Sequence, residues 1–139
     1  MASSVGERMA RVRTKGTAPE LELRRLLTRE GVRYRLHRRD LPGTPDVYVP
    51  RLRLAIFVHG CFWHGHECPR GSRPKTNTDF WNAKISRNVA RDERTLVGLS
   101  ARGINSLELW TCRRAEFAVQ CVIIGRRYRG MYDDAAASA

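Results

Sequence analysis

The stretch from Cys61 to Cys68 holds the densest group of metal-binding side chains in the sequence, two cysteines and two histidines within eight residues. Zinc prefers four nitrogen or sulfur ligands arranged as a tetrahedron. Cys61, His66 and Cys68 can provide three ligands from one loop, and Cys112, at the end of a predicted strand, can provide the fourth. We therefore predict a structural Cys₃His zinc site. The alternative is a set of unrelated buried cysteines.

The cysteines are interpreted as thiols because the sequence shows no sign of export. The longest apolar run, Leu54–Val58, has the length of a strand and falls far short of the ~20 residues that span a bilayer. The first residues lack the apolar core of a signal peptide. We expect a cytoplasmic, nucleoid-associated protein whose thiols stay reduced. Cys121, in the apolar run Val119–Ile124, is expected to be a small core residue.

A second set of residues points to hydrolysis of phosphodiester bonds. Asp46 starts one predicted strand, and Val58 and His59 stand at the end of the next. In PD-(D/E)xK nucleases an aspartate at the start of a strand binds magnesium, and the following strand carries an acid and a lysine. Here both are missing, but the backbone carbonyl of Val58 is an acceptable magnesium ligand. His59 could replace the lysine near the phosphate.

His64 is the remaining imidazole of the cysteine-rich loop, and Asp92 is its expected partner. Asp92 falls on the apolar stripe of a predicted helix, and a lone carboxylate that faces inward needs a partner. A histidine–aspartate pair fixes the imidazole tautomer and suits a general base acting on water. The alternative for Asp92 is an ordinary helix salt bridge with Arg91 or Arg94.

A mixed central sheet flanked by helices, an α/β fold, is predicted to position these residues. Thr17 resembles an N-cap with Glu20 as its capping-box partner, and Thr78 can cap a second helix. We expect a flexible basic arm over 1–17, one nuclease domain over 18–130 and a disordered tail over 131–139. The predicted helices are 18–30, 78–101 and 113–124, and the predicted strands are 32–36, 46–49, 52–57 and 107–110.

The charge of the chain favours a nucleic-acid partner. Lysine and arginine number 26 against 14 acidic residues, which gives a formal net charge of +12. A domain this basic attracts a polyanion, and double-stranded DNA is the first candidate. Solubility alone is the weaker explanation, because so large an excess of like charge opposes compactness. We expect a monomer that binds DNA and has no membrane partner.

Several stretches closely resemble the very short patch repair (Vsr) endonucleases, in the same order from about Met9 to Cys112. The resemblance implies a divergent member of the PD-(D/E)xK class. It implies magnesium-dependent nicking of duplex DNA 5′ to the thymine of a T·G mismatch, which forms when 5-methylcytosine deaminates, with downstream repair proteins as further partners. The stretches are Leu41–Asp46, Ile56–His64, Phe80–Trp81 with Lys84–Ile85 and Asn88–Val89, and Trp110–Cys112.

The resemblance also implies roles for individual catalytic residues. Asp46 and the backbone carbonyl of Val58 would hold magnesium. His64 would be the base oriented by Asp92, and His59 would contact the scissile phosphate.

Further positions match residues of the family outside this catalytic group. Glu20 matches an acid of the N-terminal helix that lies near the metal. The zinc ligands implied by the resemblance are Cys61, His66, Cys68 and Cys112. The DNA contacts implied are an aromatic wedge of Phe62, Trp63 and Trp81, and Met9 on a segment that enters the other groove. The alternative for Trp81 is a core residue beneath its helix.

Three other functions remain open at this point. One is a restriction-like or defence nuclease of the same fold without mismatch preference. Another is a zinc-stabilised DNA-binding module without catalysis, which the grouping of Asp46, His59, His64 and Asp92 disfavours. The third is a His-metal-finger nuclease, which usually has a two-stranded ribbon and a helix around its metal.

Overall fold

A computed structural model describes residues 17–137 of the chain. This part of the chain contains three α-helices and four β-strands, joined by loops and two 3₁₀ turns. The helices are α1 (Ala18–Arg29), α2 (Thr78–Ala101) and α3 (Ala115–Ala137), and the strands are β1 (Arg35–Leu36), β2 (Val47–Val49), β3 (Leu54–His59) and β4 (Asn105–Trp110). The predicted mixed sheet flanked by helices is confirmed.

The four strands form one sheet in the order β1-β2-β3-β4. The strand β2 runs antiparallel to β1 and to β3, whereas β3 and β4 run parallel. Val47 pairs with Ile56, so Asp46, which precedes β2, lies beside the carboxyl end of β3. The parallel register pairs Phe57 with Glu108. The carboxyl ends of β3 and β4 and the start of β2 therefore meet at one end of the sheet.

Alternation along the strands divides the core between the two faces of the sheet, since successive strand side chains point to opposite faces. One face packs against α1 and α3, and its core includes Leu23, Leu27, Val47, Val49, Ile56, Leu109 and Phe117. The other face packs against α2, and its core is Tyr48, Ala55, Phe57, Leu99 and Ile104. The sheet is thus buried between two helical layers, which makes its end a rigid platform.

The start of α1 differs from the predicted capping box. Thr17 is the N-cap in extended backbone conformation, but within the described part of the chain its side chain makes no capping hydrogen bond. Glu20, the expected box partner, instead turns its carboxylate toward Arg24 and His37. The ion pairs of a buried carboxylate outweigh the modest gain from a cap.

Element boundaries also differ from the predictions at several places. Thr78 is the first residue of α2 rather than its cap, which is Asn77 in a left-handed conformation. The strand β1 has two residues instead of the predicted 32–36, and β3 extends to His59. The helix α3 continues to Ala137, so residues 131–137, for which we expected disorder, are helical. The predicted basic arm, apart from Thr17, and residues 138–139 lie outside the described residues, as does Met9.

Within residues 17–137, no helix combines the length and the apolar character that a membrane span requires.

Candidate active site and metal centres

Asp46 and Val58 come together where β2 begins and β3 ends. The backbone N–H of Val58 donates a hydrogen bond to Oδ2 of Asp46 over 2.8 Å. Burial raises the pKa of Asp46, the Val58 hydrogen bond opposes this, and the charge of Glu20 raises the pKa further. The predicted pair is therefore adjacent, and its carboxylate lies where a cation would relieve unfavourable burial and repulsion.

Glu20 lies beside Asp46, as predicted, but it brings a partner that the sequence analysis missed. Its side chain is only 2% exposed, and its Oε1 is 2.9 Å from Nε2 of His37 and 2.6 Å from Arg24. Glu20, His37 and Asp46 each offer a ligand atom within 4.8 Å of the others. The backbone N–H of His37 donates to the carbonyl of Asp46, so the β1–β2 ladder creates this neighbourhood, which residue spacing alone could not predict.

His64 and Asp92 form the pair expected from the sequence. Nδ1 of His64 lies 2.5 Å from Oδ2 of Asp92, and the two side chains are 26% and 24% exposed. The loop is held by a backbone hydrogen bond from the His64 N–H to the Gly60 carbonyl. Since a carboxylate accepts the hydrogen on Nδ1, Nε2 of His64 is left with a lone pair that can take a proton.

His59 packs beside this pair and contacts a carboxylate of its own. Its ring centroid is 4.0 Å from that of His64, and its Nε2 is 2.8 Å from Oε2 of Glu108. Burial and the neighbouring His64 lower the pKa of His59 to about 3. Because a carboxylate oxygen accepts, the contact is a hydrogen bond from the Nε2–H of His59 to Glu108. Glu108 was not among the predicted residues, although a glutamate between two strand leucines is a visible signal.

A cleft of about 180 Å³ opens between these side chains. His59, His64, Asp92 and Glu108 contribute to its wall. The volume accommodates several water molecules at about 30 Å³ each. The cleft thus gives water access to both imidazoles.

The four predicted zinc ligands converge on one point. The ligand atoms of Cys61, His66, Cys68 and Cys112 all lie within 4.8 Å of one another. Partial burial, with hydrogen bonds and charges from Cys61 and Cys68, raises the pKa of Cys112 to about 11. Three clustered thiols and an imidazole are donors that suit zinc, which would favour the thiolate forms.

Backbone packing holds this loop in its conformation. The His66 N–H donates to the Cys61 carbonyl and the Cys68 N–H to the His66 carbonyl. A Cβ at Gly71 would lie 2.0 Å from the His66 carbonyl oxygen, so only glycine fits there. Gly65 has a φ of +61°, which glycine adopts without strain.

Cys121 is 1% exposed in the core between α3 and the sheet, as predicted. Burial raises the pKa of its thiol to about 12.

The predicted aromatic wedge is a cluster, but its members are not equally accessible. The ring centroids of Phe62 and Trp63 lie 5.3 Å apart, and Trp81 lies 5.4 Å from Phe62. Trp81 is only 6% exposed, which agrees with the alternative that it is a core residue. It supports Phe62 and Trp63, whereas Phe80, its neighbour, is 57% exposed.

The combination of oxygen donors for a cation, a histidine–aspartate pair and a strongly basic chain is typical of metal-dependent nucleases. The model of a protein family described as DNA mismatch endonuclease Vsr matches residues 3–70.

Individual relatives agree with this match. The chain is 50% identical over 108 residues to the type II nicking enzyme V.XorIIP of Xanthomonas oryzae pv. oryzae, covering 78% of this chain and 79% of that protein. It is 35% identical over 125 residues to V.NmeAIP of Neisseria meningitidis, covering 90% and 89%. It is 43% identical over 104 residues to the DNA mismatch endonuclease Vsr of Escherichia coli, covering 75% and 67%. The chain therefore belongs to the Vsr family of DNA endonucleases.

Proposed function

We propose that this protein nicks duplex DNA on the 5′ side of the thymine in a T·G mismatch, the product of 5-methylcytosine deamination, in a magnesium-dependent hydrolysis. The observation that carries the proposal is the 2.5 Å contact between His64 and Asp92 beside the hydrogen-bonded Asp46 and Val58. Membership of the Vsr family and the name of the Escherichia coli relative support the mismatch as substrate.

The donor set at the start of β2 fits magnesium. The Asp46 carboxylate and the Val58 carbonyl are hard oxygen ligands of the kind this ion prefers, and Glu20 adds a second carboxylate nearby. Asp46 and Val58 would hold the ion, with Glu20 close to it. When bound, magnesium would polarise a phosphoryl oxygen and stabilise the charge that develops on it.

The residues of the chain would then carry the proton transfer. Nε2 of His64 would accept a proton from the attacking water, while Asp92 holds the hydrogen on Nδ1 and stabilises the resulting imidazolium. His59, packed against His64, would contact the scissile phosphate. The burial of His59 would keep bulk water away from one side of the scissile phosphate. Electrostatic interactions are stronger where water is excluded.

The cysteine-rich loop and the fold would support the active site. Cys61, His66, Cys68 and Cys112 would bind a structural zinc ion and thereby anchor the loop that carries His64. The Asp46 strand followed by the Val58 strand makes the domain a divergent PD-(D/E)xK nuclease, in which a backbone carbonyl replaces the usual acid.

Duplex DNA is the proposed partner of a monomeric enzyme. Phe62 and Trp63, supported by Trp81, would insert beside the mismatch, and stacking on bases is a common use of such aromatic groups. Met9 would reach the opposite groove. The protein would act on chromosomal DNA in the cytoplasm, and repair proteins would then use the nick.

A nicking assay on labelled duplexes tests this function. A T·G duplex should be cut once, on the thymine strand, with magnesium and not with EDTA, and the T·A duplex of the same sequence should stay intact. All mismatches should be tried in several sequence contexts, because the bases that flank the site are unknown. Failure to nick any T·G duplex while other DNA is cut would refute the mismatch preference.

The second candidate is a restriction-like nicking nuclease of the same fold without mismatch preference. The specific observation in its favour is that relatives at 50% and 35% identity are named type II nicking enzymes. Equal nicking of T·G and T·A duplexes would select this candidate.

A further inference from the structure

The contact between His59 and Glu108 is a second histidine–carboxylate pair next to the proposed base. Nε2 of His59 and Oε2 of Glu108 are 2.8 Å apart, and their side chains are 7% and 29% exposed. His59 is therefore enclosed by protein, and Glu108 is half-buried. A hydrogen bond in such an environment is stronger than one in water, because the local dielectric is lower.

The sheet register explains why Glu108 points into the cleft. In the parallel pair β3–β4, Glu108 is opposite Phe57, whose side chain packs on the α2 face of the sheet. His59 follows two positions later on the same face. Leu109 points to the other face and is buried there, so the strand places a glutamate at a position that an apolar residue would normally occupy.

A carboxylate at this position has a cost that calls for an explanation. Glutamate is depleted in strands, and burial together with the charge of Asp92 raises the pKa of Glu108. In a nuclease, an acid beside the cleft also repels the phosphate of the substrate. An apolar residue at this position would avoid all three penalties.

Ring stacking alone leaves the orientation of His59 incomplete. The ring centroid of Phe57 lies 5.8 Å from that of His59, with 19° between the ring planes. The ring centroid of Trp110 lies 4.9 Å from that of His59. Such contacts define the plane of the imidazole, but they do not distinguish one ring nitrogen from the other. A hydrogen-bond acceptor on one edge does so, because it selects the tautomer with hydrogen on that edge.

We propose that Glu108 is a positioning residue whose carboxylate fixes hydrogen on Nε2 of His59, leaves the lone pair of Nδ1 to accept a hydrogen bond from a water bound at the substrate phosphate, and keeps the ring packed against His64. This inference rests on the proposed nuclease function and deepens it. The cleft would then hold two oriented imidazoles. Asp92 would orient that of His64, and Glu108 would orient that of His59.

Two substitutions separate the hydrogen bond from the charge. Glu108→Gln keeps an acceptor oxygen at the same reach without the charge, and Glu108→Leu removes both. We expect Glu108→Leu to lower the single-turnover nicking rate about 10–100-fold, the loss typical when a partner that orients a metal-bound histidine is removed. Glu108→Gln should recover most of that rate. The Kd for DNA should stay the same or fall in both variants, since a negative charge is lost.

The matched control is Glu22→Gln, because Glu22 pairs with Arg114, outside the cleft. This variant should nick at the wild-type rate. The inference is overturned if Glu108→Leu nicks as fast as wild type. It is also overturned if the nicking rates of Glu108→Gln and Glu108→Leu fall by the same factor. In the second case the charge, and not the acceptor, would be what matters.

An NMR measurement on the protein without DNA tests the inference independently of nicking. Nitrogen-15 imidazole spectra of zinc-loaded wild type should show His59 with hydrogen on Nε2, and Glu108→Leu should shift the tautomer population. A wild-type His59 with hydrogen on Nδ1 overturns the inference, even if Glu108→Leu does not fold. A wild type that shows the Nε2–H tautomer but nicks no DNA would refute the proposed function and leave the orientation of His59 by Glu108 intact.

Discussion

Nδ1 of His64 and Oδ2 of Asp92 lie 2.5 Å apart and join the cysteine-rich loop to α2. Each side chain is about one quarter exposed, at 26% and 24%. The loop thus carries the imidazole and the helix carries the group that orients it. The proposed base therefore depends on the loop and the helix being packed together.

Removal of the proposed base should slow nicking without unfolding the protein. We expect His64→Ala to lose about 10²–10⁴-fold in rate, the usual contribution of general-base catalysis. Higher pH should restore part of the rate, because hydroxide can replace the missing base. Asp92→Asn should fall between wild type and His64→Ala, since the imidazole remains but loses its orientation. Single-turnover nicking rates of wild type, His64→Ala and Asp92→Asn at several pH values test these expectations.

Thermal melts on the same samples are the control for that series. If folded His64→Ala nicks at the wild-type rate, the assignment of the base is wrong, and His59 is the next candidate.

Substitution of Asp46 should affect nicking differently from substitution of His64. Asp46→Ala is expected to abolish nicking at every magnesium concentration and pH, because the proposed metal ligand is gone. It should still bind DNA, since loss of a negative charge from a strongly basic protein does not weaken attraction to phosphate. Nicking and filter-binding assays on one preparation test both statements, and recovery of nicking at high magnesium or high pH would contradict the first.

The cluster of Cys61, His66, Cys68 and Cys112 predicts about one equivalent of tightly bound zinc per chain. Because a structural zinc site contributes folding energy directly, Cys112→Ser should lose the metal and lower the melting temperature. Cys121→Ala is the matched control, since Cys121 lies in the core outside the loop, and it should retain zinc. Elemental analysis checks the prediction, which a folded protein free of zinc would refute.

Cys121 should make the stability of the domain fall at alkaline pH. Burial raises the pKa of this thiol from 9.0 to about 12. A group with a raised pKa contributes stability that is fully present below its unfolded pKa and is lost as the pH rises through the folded one. The difference in unfolding free energy between wild type and Cys121→Ala should therefore shrink between pH 9 and pH 12. Denaturant titrations measure it, and a difference independent of pH would contradict the assignment.

The aromatic cluster predicts a preference for distorted DNA. Trp63→Ala should weaken binding to a T·G duplex more than to a matched duplex, because the wedge enters most easily where stacking is already poor. Stacking of this kind is worth about 1–3 kcal/mol per base. Phe80→Ala, which removes an exposed aromatic outside the proposed wedge, is the control. Equal losses on both duplexes after Trp63→Ala would mean that Trp63 has only a structural role.

Much of the candidate site could be predicted from the sequence because its parts are close along the chain. Cys61, His66 and Cys68 share one loop, so their spacing already limits how far apart their ligand atoms can be. Asp92 could be assigned a partner because helical periodicity placed a carboxylate on an apolar stripe. Cys112 and the Val58 carbonyl were assigned from their places at the ends of predicted strands, and the family resemblance implied the same two ligands.

The tertiary structure decided the contacts that cross between strands and layers. Glu108 meets His59 only because β3 and β4 are parallel in one register, and a shift of one residue would turn Glu108 to the opposite face. His37 reaches Glu20 through the β1–β2 ladder and the packing of α1, and burial of Trp81 follows from the placement of α2 beside the loop. Residue spacing determines which groups share a turn or a loop, but strand register and layer packing depend on the free energy of the whole core. Glu108 and His37, which lie near the proposed base and metal, therefore became visible only in the folded chain.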